Sequence, residues 1–208
     1  MDLSDHFTKT FDTNAWGSKE SISGPGSEKE SSLVKDCIFF VVKFINEFLQ
    51  DKETIIISDI PCGDLNWINM LFIEILSKTK CKKIEYYAYD IVDKIEDIFN
   101  NMNKIDNVNY HFKVFNAVTD VSVKADFILC KEMFIHLSYL HINNCLTNFK
   151  NSGSTYLFCT DSSDIENEDI EYSCLGECRA VSLMLSPFNL PEPLFQFSCY
   201  KAWDLNNM

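Results

Sequence analysis

Apolar positions along this chain alternate between short continuous runs and helical spacings of three and four residues. The apolar run at residues 55–57 predicts a buried strand, and further strands are predicted at 84–89, 109–115, 125–130 and 154–159. Amphipathic spacing predicts helices over residues 32–50, 64–78, 93–102 and 139–149. Strands that alternate with helices predict an α/β fold, with a mostly parallel sheet covered by helices on both faces.

The two ends of the chain depart from this alternation. Residues 1–31 are polar around a turn-rich centre, SISGPGSEKES, which favours loop over helix. They are predicted to form an N-terminal arm, or a lid of helix and loop, before a main domain at 32–208. After residue 160 an acidic loop is predicted over 161–179. The closing stretch PLFQFSCYKAW predicts one or two edge strands.

Composition narrows the class of protein. The 208 residues carry a net charge of −13, which makes nucleic acid an unfavourable partner. We expect no signal peptide, because the N-terminus lacks a basic start followed by an apolar core, and no membrane span, because no apolar stretch reaches about 18 residues. Nine cysteines without a Cys-x-x-Cys pair indicate reduced thiols and a cytoplasmic protein. Cys174 and Cys178 have no histidine nearby in sequence, so no metal site is expected.

The stretch DIPCGDLNW at residues 59–67 follows the first predicted strand. Ligands of open parallel sheets bind beyond the carboxyl ends of the strands, and Gly63 permits close approach to the backbone. Asp59 and Asp64 disfavour a diphosphate and suit a cationic or hydroxyl-rich ligand. Asp90, at the end of the next strand, is placed to bind ribose hydroxyls. Together they favour S-adenosylmethionine, which has a ribose and a sulfonium cation.

Two other interpretations of this loop stay open. A nicotinamide cofactor is the main alternative, but the Gly-x-Gly-x-x-Gly fingerprint is absent, as is a P-loop. The loop also has the composition of a plain, sharp strand-to-helix turn.

Five segments in order resemble the class I S-adenosylmethionine-dependent methyltransferases, and most closely a little-characterised branch of them. They are SISGPGS at 21–27 preceded by Trp16, DIPCGDLNW at 59–67, YDIV at 89–92, ILCKEMFIHLS at 128–138 and PFNLPEPL at 187–194. The resemblance spans almost the whole chain. It implies a Rossmann-like, doubly wound sheet of about seven strands, the last antiparallel, with helices on both faces.

The resemblance also implies a set of cofactor contacts. They are Trp16, Asp59, Pro61, Cys62, Gly63, Asp64, Trp67, Asp90, Ile91, Asn116, Ala117, Cys130 and Lys131. The chain departs from the family pattern in four places. Asn116 replaces an acid that reads the adenine amino group, and Lys131-Glu132 replaces Arg-Asp. Cys178-Arg179 replaces Trp-Arg before the proline-rich segment, and the tail between Phe195 and Trp203 is shortened.

Candidate catalytic residues follow the fourth predicted strand. Glu132 or His136 is placed to take a proton from the methyl acceptor, and Asp161 and Arg179 are candidates for substrate binding. Each has a structural alternative: a solvated loop acid for Glu132, a backbone-bonded histidine for His136 and a helix cap or surface acid for Asp161. Arg179 can instead pair with one of the loop acids, which are Asp164, Glu166, Glu168, Asp169 and Glu171.

The sequence thus predicts an S-adenosylmethionine-dependent methyltransferase acting on a non-nucleic-acid acceptor: a small molecule, sugar, lipid headgroup or protein. The segment CKEM at 130–133 stands where base methyltransferases often carry Asn/Asp-Pro-Pro-Tyr/Phe, which argues against a nucleobase acceptor. A catalytically inactive partner subunit with the same fold is the alternative. The oligomeric state and the choice between N- and O-methylation stay open.

Overall fold

Seven strands form one sheet in the order β3-β2-β1-β4-β5-β7-β6. The computed structural model describes residues 2–163 and 165–208. The strands are β1 (Thr54–Asp59), β2 (Lys83–Asp90), β3 (Val108–Val114), β4 (Phe127–Cys130), β5 (Tyr156–Thr160), β6 (Phe195–Phe197) and β7 (Tyr200–Asp204). Strands β1 to β5 run parallel, and β7 is antiparallel to both of its neighbours. The predicted α/β class, strand number and antiparallel end are confirmed.

Helices cover both faces of the sheet and create two hydrophobic cores. They are α1 (Leu3–Asp12), α2 (Ser32–Phe48), α3 (Ile68–Lys78), α4 (Ile95–Asn101) and α5 (Tyr139–Asn151). Side chains of α2, α3 and α4 pack in one core, and those of α5 pack in the other with Leu3 of α1. The central parallel strands β1, β4 and β5 are buried on both sides, which explains why their sequences are largely continuous apolar runs.

The helix predicted from residue 64 begins four residues later, at Ile68. Leu65 has a φ of 59°, which a right-handed helix does not accommodate. The Asn66 N–H also donates to the Asp64 carboxylate at 3.3 Å, a local bond that favours a turn over a helix. Residues 64–67 therefore form a turn between β1 and α3.

The chain ends differ from the sequence expectation in two respects. Helix α1 forms within the predicted polar arm, capped by the Asp2 carboxylate, which accepts the Ser4 N–H at 2.9 Å. Strand β7 lies inside the sheet between β5 and β6, so of the two strands formed by the closing stretch only β6 lies at an edge of the sheet. Between β5 and β6, the described residues contain no helix or strand, as predicted for the acidic loop.

Within residues 2–163 and 165–208, none of the helices combines the length and apolar character needed to cross a bilayer.

Candidate functional site

A cavity opens at the carboxyl ends of β1, β2 and β4, where the strand order reverses. Its empty volume is about 1060 Å³, which includes the open mouth. Thirteen of the predicted site residues line it: Trp16, Asp59, Pro61, Cys62, Gly63, Trp67, Asp90, Ile91, Asn116, Ala117, Lys131, Glu132 and His136. The reversal of strand order leaves a crevice between β1 and β4, and such crevices hold the ligands of doubly wound sheets.

Asp59 ends β1 and is a buried carboxyl group on the cavity wall. The Tyr86 hydroxyl donates a hydrogen bond to its Oδ2 at 2.7 Å. Burial raises the pKa of Asp59 to about 7, although the Tyr86 hydrogen bond and the Lys131 ammonium oppose this shift. A negative charge at this position is therefore poorly compensated by the protein itself. A cation in the cavity would compensate it.

Asp90 ends β2 and is also buried. Its Oδ2 accepts the Gly63 N–H at 2.9 Å and its Oδ1 accepts the Val92 N–H at 3.0 Å. Burial raises the pKa of Asp90 to about 6, with these two N–H bonds opposing the shift. Each oxygen has a further lone pair, so the carboxylate can still accept two hydrogen bonds from a ligand diol.

Gly63 is required by the geometry of the loop after β1. Its φ is 56°, in the left-handed region that favours glycine. A Cβ at this position would lie 2.4 Å from the Ser23 Oγ. The absence of a side chain thus lets the N-terminal arm contact the loop beside Asp90.

The arm at residues 13–31 is attached to the turn after β1 by polar contacts. The Ile22 N–H donates to the Asp64 carboxylate at 2.8 Å, and the Asp64 N–H donates to the Ser23 hydroxyl at 2.8 Å. Asn66 donates to the Ser27 carbonyl at 3.1 Å. Asp64 therefore holds the arm over the cavity, and its side chain is not part of the cavity wall.

Lys131 and Glu132 follow β4 on the cavity wall nearest the arm. The Lys131 Nζ lies 3.4 Å from the Ser27 Oγ and 5.9 Å from the centre of the Trp67 ring. Burial lowers the pKa of Lys131, while the nearby Glu132 and Asp59 act in the opposite direction. Glu132 has a φ of 58°, and its N–H donates to the Thr160 hydroxyl at 3.0 Å. The chain thus turns sharply here and presents both side chains to the cavity.

His136 belongs to a 3-10 turn, Phe134–His136, and lines the cavity. Its Nδ1 lies 2.8 Å from the Glu177 carbonyl, which can only accept, so Nδ1 carries the proton. Burial lowers the pKa of His136, so the ring is neutral at pH 7 and Nε2 has a free lone pair. Among the described residues, none makes a hydrogen bond to Nε2. The arrangement combines the predicted backbone-bonded histidine with a nitrogen that can accept a proton.

Asn116 follows β3 and lines the cavity. Its side-chain oxygen accepts the Val118 N–H at 3.0 Å, and its own N–H donates to the Asp120 carboxylate at 3.1 Å. The amide oxygen thus already has one partner within its own turn. One lone pair remains for a ligand amino group.

Three further predicted residues lie away from the cavity wall. Cys130 is fully enclosed in the core around α5. Asp161 is buried in an ion pair with Lys201, and it also accepts the Leu183 N–H at 2.5 Å. Its carboxylate is therefore committed to joining the segment after β5 to the sheet, which explains why it is not presented to a substrate.

Arg179 also contacts the protein instead of the cavity. Its Nη1 donates to the carbonyls of Phe134 and Ile135 at 2.9 and 3.0 Å, and its Nε donates to the Glu168 carbonyl at 2.9 Å. Of the predicted acidic partners, Asp169 is nearest, with its carboxylate 3.9 Å from Nη2. Asp164 lies outside the described residues. Arg179 thus holds the 3-10 turn that carries His136.

The wall contributed by α1 was missed by the sequence analysis. Leu3, Phe7 and Phe11 line the cavity. Their spacing of four residues was the available signal, because it places the three side chains on one face of a helix. The polar residues between them and the loop-forming stretch that follows concealed it.

Comparison with solved structures identifies the fold. Human N-acetylserotonin methyltransferase, crystallised with S-adenosylmethionine, matches with a TM-score of 0.51 and 12% identity over 96% of this chain and 66% of that chain. Magnesium protoporphyrin IX methyltransferase from Synechocystis PCC 6803, also with S-adenosylmethionine bound, matches with a TM-score of 0.50 and 14% identity over 78% and 75%. The fold is that of the Rossmann-like methyltransferases.

This chain covers less than two thirds of the length of some of the matched structures. The chain covers 57% of the PH0226 protein from Pyrococcus horikoshii OT3, which has 14% identity and a TM-score of 0.45. No protein-family model matches the sequence, and no curated protein matches it. At these identities the similarity defines the fold, and the chemistry has to be argued from the residues of the cavity.

Proposed function

We propose that this protein is an S-adenosylmethionine-dependent methyltransferase that acts on a non-nucleic-acid acceptor. One observation carries the proposal. Two buried carboxyl groups, Asp59 and Asp90, end adjacent parallel strands on the wall of one cavity. That cavity lies at the point where ligands of doubly wound sheets bind.

The residues fit the two ends of the proposed cofactor. Asp90 would accept the ribose hydroxyls, because it keeps two lone pairs beside the hydrogen bonds from Gly63 and Val92. Asp59 would be stabilised by the positive charge of the amino-acid portion, because burial leaves its own charge poorly compensated. A diphosphate would face both acids and be repelled, which argues against a nicotinamide cofactor.

The wall after β4 supplies groups for proton transfer. S-adenosylmethionine carries a methyl group on a sulfonium, and transfer of that group mainly requires positioning of the acceptor. His136 or Glu132 would take the acceptor proton, since both line the cavity. Trp16 and the arm would exclude water.

The acceptor is proposed to be other than nucleic acid on grounds of charge. The chain carries −13, and among the described residues Lys131 is the only Lys or Arg on the cavity wall. A phosphate backbone would therefore meet repulsion at the site.

The first test is calorimetric titration of S-adenosylmethionine and S-adenosylhomocysteine into wild type and Asp90→Ala. We expect micromolar binding to the wild type and a loss of about tenfold or more in the variant, because two ribose hydrogen bonds to a charged acceptor are removed. The matched control is Asp97→Ala, an exposed carboxylate of α4 outside the cavity, which should bind as the wild type does.

The outcomes separate the competing functions. A folded wild type that binds neither compound refutes the proposal, and binding of NAD in a parallel titration would favour an oxidoreductase. Cofactor binding without turnover across a broad panel of acceptors would favour the inactive partner subunit. Turnover of any acceptor removes that alternative.

A further inference from the structure

One part of the cavity wall differs in chemistry from the part formed by the strand ends. It is built by α1, the arm and the turn carrying His136, and we call it the aromatic chamber: Leu3, Phe7, Phe11, Trp16, His136 and Leu137. Building on the proposed function, we infer that the aromatic chamber binds the methyl acceptor, a planar apolar molecule with a hydroxyl group that is methylated.

The apolar character of this acceptor follows from the side chains around His136. The Trp16 ring centroid lies 5.3 Å from that of His136, and the Phe7 ring lies 6.5 Å away in an edge-on arrangement. Aromatic rings at such distances form a surface suited to a flat apolar molecule, which gains both area burial and ring contacts. A sugar or a peptide would leave most of its polar groups without partners there.

The available charges also exclude an anionic acceptor. Arg179 is next to the turn, but its guanidinium donates to the Phe134, Ile135 and Glu168 carbonyls. Lys131 lies by Ser27 and Trp67, on the part of the wall that follows β4. The six residues that define the chamber include no Lys or Arg, so a carboxylate or phosphate on the acceptor would be buried without a cation from the chamber wall.

The His136 imidazole is the reason for inferring a hydroxyl as the group of the acceptor that is methylated. Because Nδ1 donates to the Glu177 carbonyl, Nε2 is the acceptor atom of a neutral ring and lines the cavity through His136. The charged or titratable groups around this ring are Glu132 after β4, Arg179 in the segment after β5 and His6 of α1. Glu132 favours the protonated imidazole, while Arg179, His6 and burial disfavour it.

The proposed step balances in atoms and charge. The acceptor oxygen attacks the methyl carbon, the carbon–sulfur bond breaks, and its electron pair neutralises the sulfonium to a thioether. The hydroxyl proton passes to Nε2 and then to solvent. Its products are the methyl ether and S-adenosylhomocysteine.

The test uses a matched pair of probes, 2-naphthol and 6-hydroxy-2-naphthoate, which differ by one carboxylate. Their binding to the protein saturated with S-adenosylhomocysteine is measured by calorimetry, and their methylation by S-adenosylhomocysteine release. We expect 2-naphthol to bind at least about tenfold more tightly, because burying an unpaired carboxylate is costly. The rate should rise with pH below neutrality and level off, and this titration should be lost in His136→Gln.

Two variants and a control test the chamber itself. Phe7→Ala should weaken 2-naphthol binding by about tenfold without changing S-adenosylmethionine affinity, because apolar contact area is lost only in the chamber. Phe11→Arg should reverse the preference towards the naphthoate by adding a cation. Phe39→Ala removes a 45% exposed aromatic of α2 outside the cavity and should change neither.

The inference and the proposed function fail in different ways. Normal S-adenosylmethionine binding with no 2-naphthol binding, or with preference for the naphthoate in the wild type, overturns the inference and leaves the proposed function standing. Absence of S-adenosylmethionine binding overturns both.

Discussion

Binding of S-adenosylmethionine should release protons near neutral pH, because the cavity holds a carboxyl group that is half protonated there. Burial raises the pKa of Asp59 to about 7. A bound cation favours the ionised form, so the proton leaves as the ligand enters. The number released is the fraction protonated before binding: about 0.9 at pH 6, about 0.5 at pH 7 and about 0.1 at pH 8 for this group.

Calorimetry in buffers with different ionisation enthalpies measures this number directly. The observed binding enthalpy is plotted against the buffer ionisation enthalpy, and the slope is the number of protons released. The variant to be compared is Asp59→Asn, because the asparagine amide oxygen can still accept a hydrogen bond from the Tyr86 hydroxyl. The variant should lose the Asp59 contribution, and Asp97→Asn, an exposed carboxylate outside the cavity, should keep it.

Asp59 makes the largest contribution to the difference between wild type and variant. Asp90 has a pKa raised to about 6, should add about 0.1 proton at pH 7 and remains in Asp59→Asn. Burial lowers the pKa of Lys131 and the Asp59 carboxylate opposes that shift. The difference in slope therefore reports Asp59 together with its charge coupling to Lys131. Equal slopes for wild type and Asp59→Asn between pH 6 and 7 would refute the electrostatic reasoning.

Three further predictions concern stability and positioning; urea unfolding measures the stability of each variant, and methyl-transfer kinetics and cofactor titration measure the effects of Asp161 and Arg179 on activity. Because ionised Asp59 is disfavoured in the folded state, its contribution to the unfolding free energy should fall between about pH 4 and pH 7, by a total on the order of 4 kcal/mol; in Asp59→Asn this contribution should disappear, while the smaller fall due to Asp90 remains. Asp161→Ala should cost about 3–5 kcal/mol by leaving Lys201 buried and unpaired, and Asp161→Leu with Lys201→Met should recover most of it. If Asp161→Ala instead keeps normal stability but raises the KM for the acceptor, a role of Asp161 in substrate binding would be supported. Arg179→Ala should lower the free energy of unfolding by roughly 2–3 kcal/mol. It should also reduce the rate of methyl transfer more than the cofactor affinity, since it releases the turn of His136. Equal losses of rate and affinity would contradict a positioning role.

Much of the fold was accessible from local patterns. The first five strands and the helices between them were predicted because apolar periodicity is a property of neighbouring residues. The start of α3 was misplaced because apolar spacing does not report backbone strain. Leu65 adopts a φ of 59° in the turn before the helix. The position of helix α1 within the predicted lid of helix and loop was not found, since its apolar face, marked by Leu3 and Phe7, is short and lies in a polar segment.

The predicted site residues show the same difference between what local sequence reveals and what distant contacts decide. Those on strand ends, such as Asp59 and Asp90, were found because parallel strands end at a common edge, which topology alone guarantees. Asp161 and Arg179 also follow strands or precede motifs, yet the structure commits them to other partners. Lys201 lies 40 residues beyond Asp161, and the carbonyls bound by Arg179 lie 44 and 45 residues before it.

The sequence by itself determined the order of strands and helices, the acidic strand ends and the glycine beside them, because each depends on residues close together in the chain. Only the tertiary structure decided the state of the acids, since desolvation and charge partners come from distant segments. It also decided that an amphipathic helix at the N-terminus contributes to the cavity wall. Burial by residues distant in the sequence raises the pKa of Asp59 to about 7 from an ordinary carboxyl value of 3.8.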